Sequence, residues 1–177
     1  MIENIRFIHF LTATALIELF MLILFRFTRY SSKVINNWYD NLGWTAIILD
    51  VLSILIGFYI AKFIYQYLVS HNYISRKNEL IKYLVIVILV QILHDILFYY
   101  KVIVPTPLSL NKVIDEFKEY AKHYRSQAII ADSMIYISTT PILYYIILNQ
   151  SDSTNVFTTI VSFYILGYLL HQRPIVN

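Results

Sequence analysis

Five long apolar stretches alternate with short polar runs along the chain, at residues 7–25, 43–67, 83–100, 128–148 and 156–172. A bilayer core of about 30 Å takes roughly 20 apolar residues in an α-helix. All five stretches therefore read as membrane spans; the fifth is the shortest and could instead be tilted or re-entrant. Pro141 falls inside the fourth and predicts a kink, with Thr139 or Thr140 placed to satisfy the freed carbonyl. Lys62 stands late in the second, where its stem can carry the ammonium to the interface. Residues 26–41, 70–79 and 150–155 read as polar loops, with Trp38 and Tyr39 suited to the membrane interface. The segment Lys101–Gln127 opens with Pro105-Thr106-Pro107, which cannot continue a helix. Over about 111–126 it then turns amphipathic. Ile114, Phe117, Ala121 and Tyr124 share one face, Asp115, Lys118, Glu119 and Lys122 lie opposite, and Ser109 or Asn111 is the candidate N-cap. A helix lying on the bilayer surface follows. The predicted fold is one all-α domain over residues 1–177, a polytopic transmembrane helical bundle of five spans plus one interfacial helix.

Composition supports lipid as the solvent. Hydrophobic residues make up 58% of the chain and charged ones 14%, against about 25% charged in soluble domains. So short a chain could not hide that much apolar surface in a core of its own. With no cysteine, disulfides, thiolate metal sites and a cysteine nucleophile are excluded. The first apolar run has a barely basic flank and no small-residue cleavage site, so it reads as a retained span rather than a signal peptide. The net charge of +3 comes from basic residues scattered among the loops, which argues against nucleic acid as a partner. Five spans would place nine basic residues (Arg26, Arg29, Lys33, Lys101, Lys112, Lys118, Lys122, Arg125 and Arg173) on one side and four (Arg6, Arg76, Lys77 and Lys82) on the other. The richer side is then cytoplasmic, with the N-terminus outside and the C-terminus inside.

Ionisable groups inside the spans carry the candidate chemistry, because a central Asp costs about 2.5–3.5 kcal/mol to insert. Glu18, Asp50, Asp95 and Asp132 come from four different spans. Counted from the basic face at 1.5 Å per residue, all four lie roughly 6–11 Å deep. His94 adjoins them, and Ser53, Gln91, Tyr99 and Ser133 are candidates for a supporting layer. Ala46, Asp50, Ser53, Gly57 and Ala61 form a stripe of small and polar residues that would let helices approach closely. An oxygen-rich set with one imidazole suits a hard or borderline divalent metal ion, although the paired Glu-x-x-His signature of di-metal bundles is absent. Without a metal, the same groups could hold a cation or pass protons. No Walker loop, dinucleotide turn, zinc-protease pair or nucleophile elbow occurs, and no two histidines share a depth, so neither nucleotide nor haem is expected.

Three functions follow in order. The first is binding or translocation of a cation or proton by the acidic/His cluster; the second is a structural or assembly role in a viral or host internal membrane. The third is a metal-dependent enzyme acting on lipids, with Lys101–Gln127 as its lid. The stretches Asp50-Val-Leu-Ser-Ile-Leu-Ile-Gly57, Gln91-Ile-Leu-His-Asp-Ile-Leu-Phe98, Asp115-Glu-Phe-Lys-Glu-Tyr-Ala121 and Ala131-Asp-Ser133 resemble uncharacterised multi-span membrane proteins of nucleocytoplasmic large DNA viruses. The resemblance covers spans two to four and the surface helix. It implies a viral or host internal membrane, with the lipid bilayer, copies of the same chain or viral membrane and capsid proteins as partners. It lends no activity. Residue usage biased toward isoleucine and tyrosine over alanine and glycine, as in an AT-rich genome, agrees with it.

Overall fold

The computed structural model describes residues 2–175. Its seven α-helices are α1 (Phe7–Phe27), α2 (Lys33–Leu42), α3 (Trp44–Ser70), α4 (Glu79–Phe98), α5 (Lys112–Tyr124), α6 (Gln127–Tyr145) and α7 (Asp152–Leu170). α4 runs on as a π-helical turn, Tyr99–Ile103, and α6 is followed by a 3-10 turn, Ile147–Asn149. Counting these extensions, five helical stretches are long and apolar enough to cross a membrane: Phe7–Phe27, Trp44–Ser70, Glu79–Ile103, Gln127–Asn149 and Asp152–Leu170. The fifth starts four residues earlier than its apolarity suggested. Ser151 caps it by accepting from Thr154 N at 3.1 Å. Its first polar residues are packing partners rather than loop. Asn155 Nδ2 donates to the Ile147 carbonyl at 3.1 Å, and Thr159 meets Thr12 of α1 hydroxyl to hydroxyl at 2.8 Å. Polar pairs of this kind hold helices together where lipid removes the hydrophobic drive.

α1 is the central helix, packed on α7, α3 and α6, while α4 closes the far side between α3 and α6. Aromatic rings fill the middle of this four-helix core. Phe58 stacks on Phe10 with centroids 5.4 Å apart and meets the edge of Tyr136 at 5.1 Å. Tyr83 reaches across to donate to the Phe58 carbonyl at 2.9 Å. The close approach of α3 to α6 depends on Gly57, since a Cβ there would stand 2.2 Å from the Tyr136 hydroxyl. Helix α6 runs unbroken through Pro141 to Tyr145, and Thr139 and Thr140 bond the carbonyls of Ile135 and Tyr136 at 2.6 and 2.7 Å. Neither hydroxyl serves Ile137, whose carbonyl the proline frees.

The polar segment over 26–41 contains a helix. Ser32 caps α2 through Ile35 N at 3.3 Å, and Gly43, at φ 59°, ends it and turns the chain into α3. Only glycine takes that conformation without cost. Asn111 caps α5 by accepting from Val113 N and Ile114 N at 2.9 and 3.2 Å, so it rather than Ser109 starts that helix. α2 and α5 pack on each other at one end of the bundle through Trp38 and Phe117, 4.8 Å between centroids, an Asn41–Glu116 bond at 2.6 Å and a Ser32–Tyr124 bond at 2.7 Å. At the opposite end the N-terminal residues are tied down by Arg76–Glu3 at 2.8 Å, by Arg6–Asp152, and by Ile2 N donating to Glu79 at 2.9 Å. Lys62 bonds the Ile5 carbonyl there.

Candidate functional site

The four span carboxyls gather beneath the α2–α5 layer, and the structure sorts them into two pairs. Glu18 on α1 and Asp50 on α3 form the first, within electrostatic reach of each other. Glu18 is buried and accepts the Tyr39 hydroxyl at 3.0 Å, and Asp50 accepts the Trp38 indole N–H at 2.9 Å. Both donors come from α2. Burial, and next the Glu18 carboxyl beside it, push the Tyr39 phenol well above its ordinary pKa. The ring therefore stays a protonated donor.

Asp95 on α4 and Asp132 on α6 form the second pair, and their partners differ in kind. Asp95 Oδ1 accepts Gln91 Nε2 at 2.6 Å and lies 3.2 Å from His94 Nδ1, both from its own helix. Asp95 Oδ2 is buried and has no donor among the described residues. The Asp132 carboxyl stands within hydrogen-bonding reach of Asp95. Two carboxylates offer acceptors only, so this contact becomes a bond when a proton or cation lies between them. Asp50 is within electrostatic reach of Asp132, which makes the pairs neighbours. They do not merge, and among the described residues no three His, Asp or Glu side chains come together as a metal would need. The reason is the helix order: α1 and α3 carry one pair, and α4 and α6 turn theirs toward each other. His94 is on the rim, half exposed and stacked on Phe98 at 5.7 Å.

Of the supporting candidates, Gln91 alone bonds an acid side chain. Ser53 Oγ donates to the Asp50 carbonyl at 2.9 Å and Ser133 Oγ to the Ile129 carbonyl at 2.8 Å, each within its own helix. Ser53 also faces outward, so the stripe from Ala46 to Ala61 is only partly an interior face. Tyr99 lines a cavity of about 410 Å³ between the end of α4, α5 and the start of α6. Asp95 and Asp132 lie on its wall, with Phe98, Phe117, Tyr120 and Arg125 around them. The Tyr120 phenol is pushed above its ordinary pKa, first by burial and then by Asp132, so it too remains a protonated donor. Trp38, Tyr39 and Tyr120 were not among the expected site residues. Their signal was helical spacing: Ile35, Trp38, Tyr39 and Leu42 share one side of α2, and Tyr120 lies beside Phe117 and Tyr124 on α5.

Fold and site together define a class: an all-α bundle with five membrane-length helices and two carboxyl pairs under an interfacial layer, one pair served by ring donors and one open to a cavity. Compared with known proteins, the chain matches no family model, no curated protein and no solved structure.

Proposed function

We propose that this is a multi-pass membrane protein in which Asp95 and Asp132 bind, and through that binding move, a proton or a cation near the cytoplasmic face. One observation carries the reading. The two carboxyls face each other from different spans with no lysine or arginine bonded to either among the described residues, and one buried oxygen has no donor. Intramembrane acids left in that state mark ion and proton paths more often than structural joints. The N-terminus outside and the C-terminus in the cytoplasm follow from the same nine-to-four division of basic residues, because α2, α5 and residues 171–175 gather at one end of the bundle.

The Glu18–Asp50 pair supports a different reading. Each of its carboxyls already accepts a ring donor from α2, so it fixes that helix to the bundle rather than serving a ligand. Proteoliposomes with an enclosed pH indicator test the division. Asp95→Asn and Asp132→Asn should each abolish an ion-driven pH change while the protein stays folded. Asp50→Asn should lower the melting temperature and leave the remaining flux per folded molecule intact. Unaltered flux in both Asp95→Asn and Asp132→Asn would sink the proposal.

A further inference from the structure

The acid-lined cavity has a neighbour of opposite charge. A second cavity, of about 450 Å³, is lined by Lys118, Lys122 and Arg125 together with Val104. The two share the walls made by Tyr99, Ile103, Ala121 and Arg125. Lys118 bonds the Thr106 carbonyl, which anchors its chain, while Lys122 and Arg125 make no ion pair among the described residues. The two cavities thus adjoin across these residues; taken together as one recess, they present two carboxyls and several aromatic rings on one side, Lys118 and Lys122 on the other, and Arg125 where they meet.

A bare metal ion needs neither that volume nor those rings. An alkylammonium group needs both, because carboxylates neutralise it and aromatic faces attract it. A phosphate a few bonds away would meet the lysines and the arginine, whose guanidinium suits phosphate oxygens. The recess also lies where such a group would be carried. It is bounded by the last turn of a membrane-length helix and by an amphipathic interfacial helix, and Tyr100 and Val104 on its walls expose apolar surface. We infer that this recess binds the headgroup of a zwitterionic phospholipid, its ammonium toward Asp95 and Asp132 and its phosphate toward Lys118, Lys122 and Arg125. The inference rests on the cation-binding reading of the acid pair and specifies an organic ammonium as that cation.

The backbone at Arg125 offers a clean test. Arg125 takes φ 50° where α5 turns into α6, a region that favours glycine and strains other residues. Arg125→Gly therefore relieves the backbone while removing one of the proposed phosphate partners, so backbone strain does not account for lost binding. The full-length protein in micelles doped with equal phosphatidylethanolamine and phosphatidylglycerol is read by native mass spectrometry for retained lipid. Wild type should keep phosphatidylethanolamine over phosphatidylglycerol by about tenfold. Asp132→Asn should erase that preference, and Arg125→Gly should weaken retention of both lipids by a similar factor. Equal retention of the two lipids by wild type overturns the ammonium assignment, and undiminished retention by Arg125→Gly overturns the phosphate assignment. If free phosphoethanolamine displaces the lipid at equal concentration, the occupant is a soluble zwitterion and the lipid assignment fails. If lipid selectivity fails while the ion flux still depends on Asp95 and Asp132, this inference falls and the simpler cation reading stands; if both fail, the pair is no site at all.

Discussion

Gly57 is the point at which the position of Asp132 can be perturbed without touching the acid itself. A Cβ at Gly57 would stand 2.2 Å from the Tyr136 hydroxyl and 3.0 Å from its ring carbon Cζ. The Tyr136 ring has nowhere to go. It is 2% exposed and wedged edge-on against Phe58. Gly57→Ala must therefore push α3 and α6 apart, and overpacking of this kind costs about 1–3 kcal/mol. Alanine in place of a helical glycine returns about 1 kcal/mol through propensity. The net loss expected is about 0–2 kcal/mol.

Tyr136→Phe alone should cost little, because the hydroxyl makes only two long contacts, 3.4 Å each, to the Ser53 and Ile54 carbonyls. Interhelical hydrogen bonds in membranes average about 0.6 kcal/mol. In the double variant the nearest atom becomes Cζ at 3.0 Å, so the clash eases to one that a shift of a few tenths of an ångström relieves, and the propensity gain remains. The double variant should then be more stable than the sum of the single losses by about 1–2 kcal/mol. Reversible unfolding of the purified protein in mixed micelles, run as a four-protein cycle, reads that coupling. Additivity within about 0.3 kcal/mol would refute the packing argument, since residues in contact do not behave independently. Because Asp132 lies one helical turn before Tyr136, Gly57→Ala should also reduce the function of the Asp95–Asp132 pair, and Tyr136→Phe should restore it.

Two further expectations concern the layer around the site. Arg26 is fully buried, with Asp40 2.8 Å away and the Gln172 carbonyl at 3.1 Å, so Asp40→Ala strips the counter-ion from a buried guanidinium. With Asp40 half exposed, a loss of about 1–3 kcal/mol is expected, against about 0–1 kcal/mol for Glu3→Ala, which breaks an exposed pair with Arg76; equal shifts in melting temperature would contradict this. Tyr39 has its phenol pKa raised in the folded protein, so the stability it contributes is complete below the ordinary value of 10.0 and declines as pH climbs above it. Tyr39→Phe should cost about 1–3 kcal/mol at neutral pH by leaving Glu18 without its donor, and its melting temperature should fall less steeply than wild type above pH 10; parallel alkaline curves would count against the Glu18 bond.

The five membrane-length helices were legible because length and apolarity suffice to mark them. Their ends were less so. α4 begins at Glu79 rather than Tyr83, and α7 at Asp152 rather than Val156, because hydropathy cannot distinguish a polar residue in a loop from one satisfied inside a helix contact, as Asn155 is. α2 stayed hidden for a related reason. Asn36, Asn37, Asp40 and Asn41 dilute a ten-residue helix whose only continuous feature is its aromatic side. The acids announced themselves individually, as costly groups in apolar runs. How they pair could not be read, because that depends on α4 lying between α3 and α6 and on the rotation that leaves Ser53 outside.

The contrast between the two pairs is an argument about accessibility. Each interfacial helix covers one pair, but only α2 hydrogen-bonds to the acids it covers: Trp38 and Tyr39 each take up an acceptor oxygen that Asp50 and Glu18 would otherwise offer a ligand. α5 covers Asp95 and Asp132 with the rings of Phe117 and Tyr120 and leaves a cavity instead of a bond. A carboxyl satisfied by its own fold has little free energy to give a cation, whereas one held against another carboxyl gains by accepting it. Trp38 links the two arrangements, holding Asp50 with its N–H while its ring packs on Phe117 at the cavity wall. The satisfied pair thus acts as the fixed foundation against which the wall of the open one is braced. Preorganisation of that kind lets a small bundle keep two acids together without a lysine or arginine bonded to them, and without dispersing their cost through the whole core.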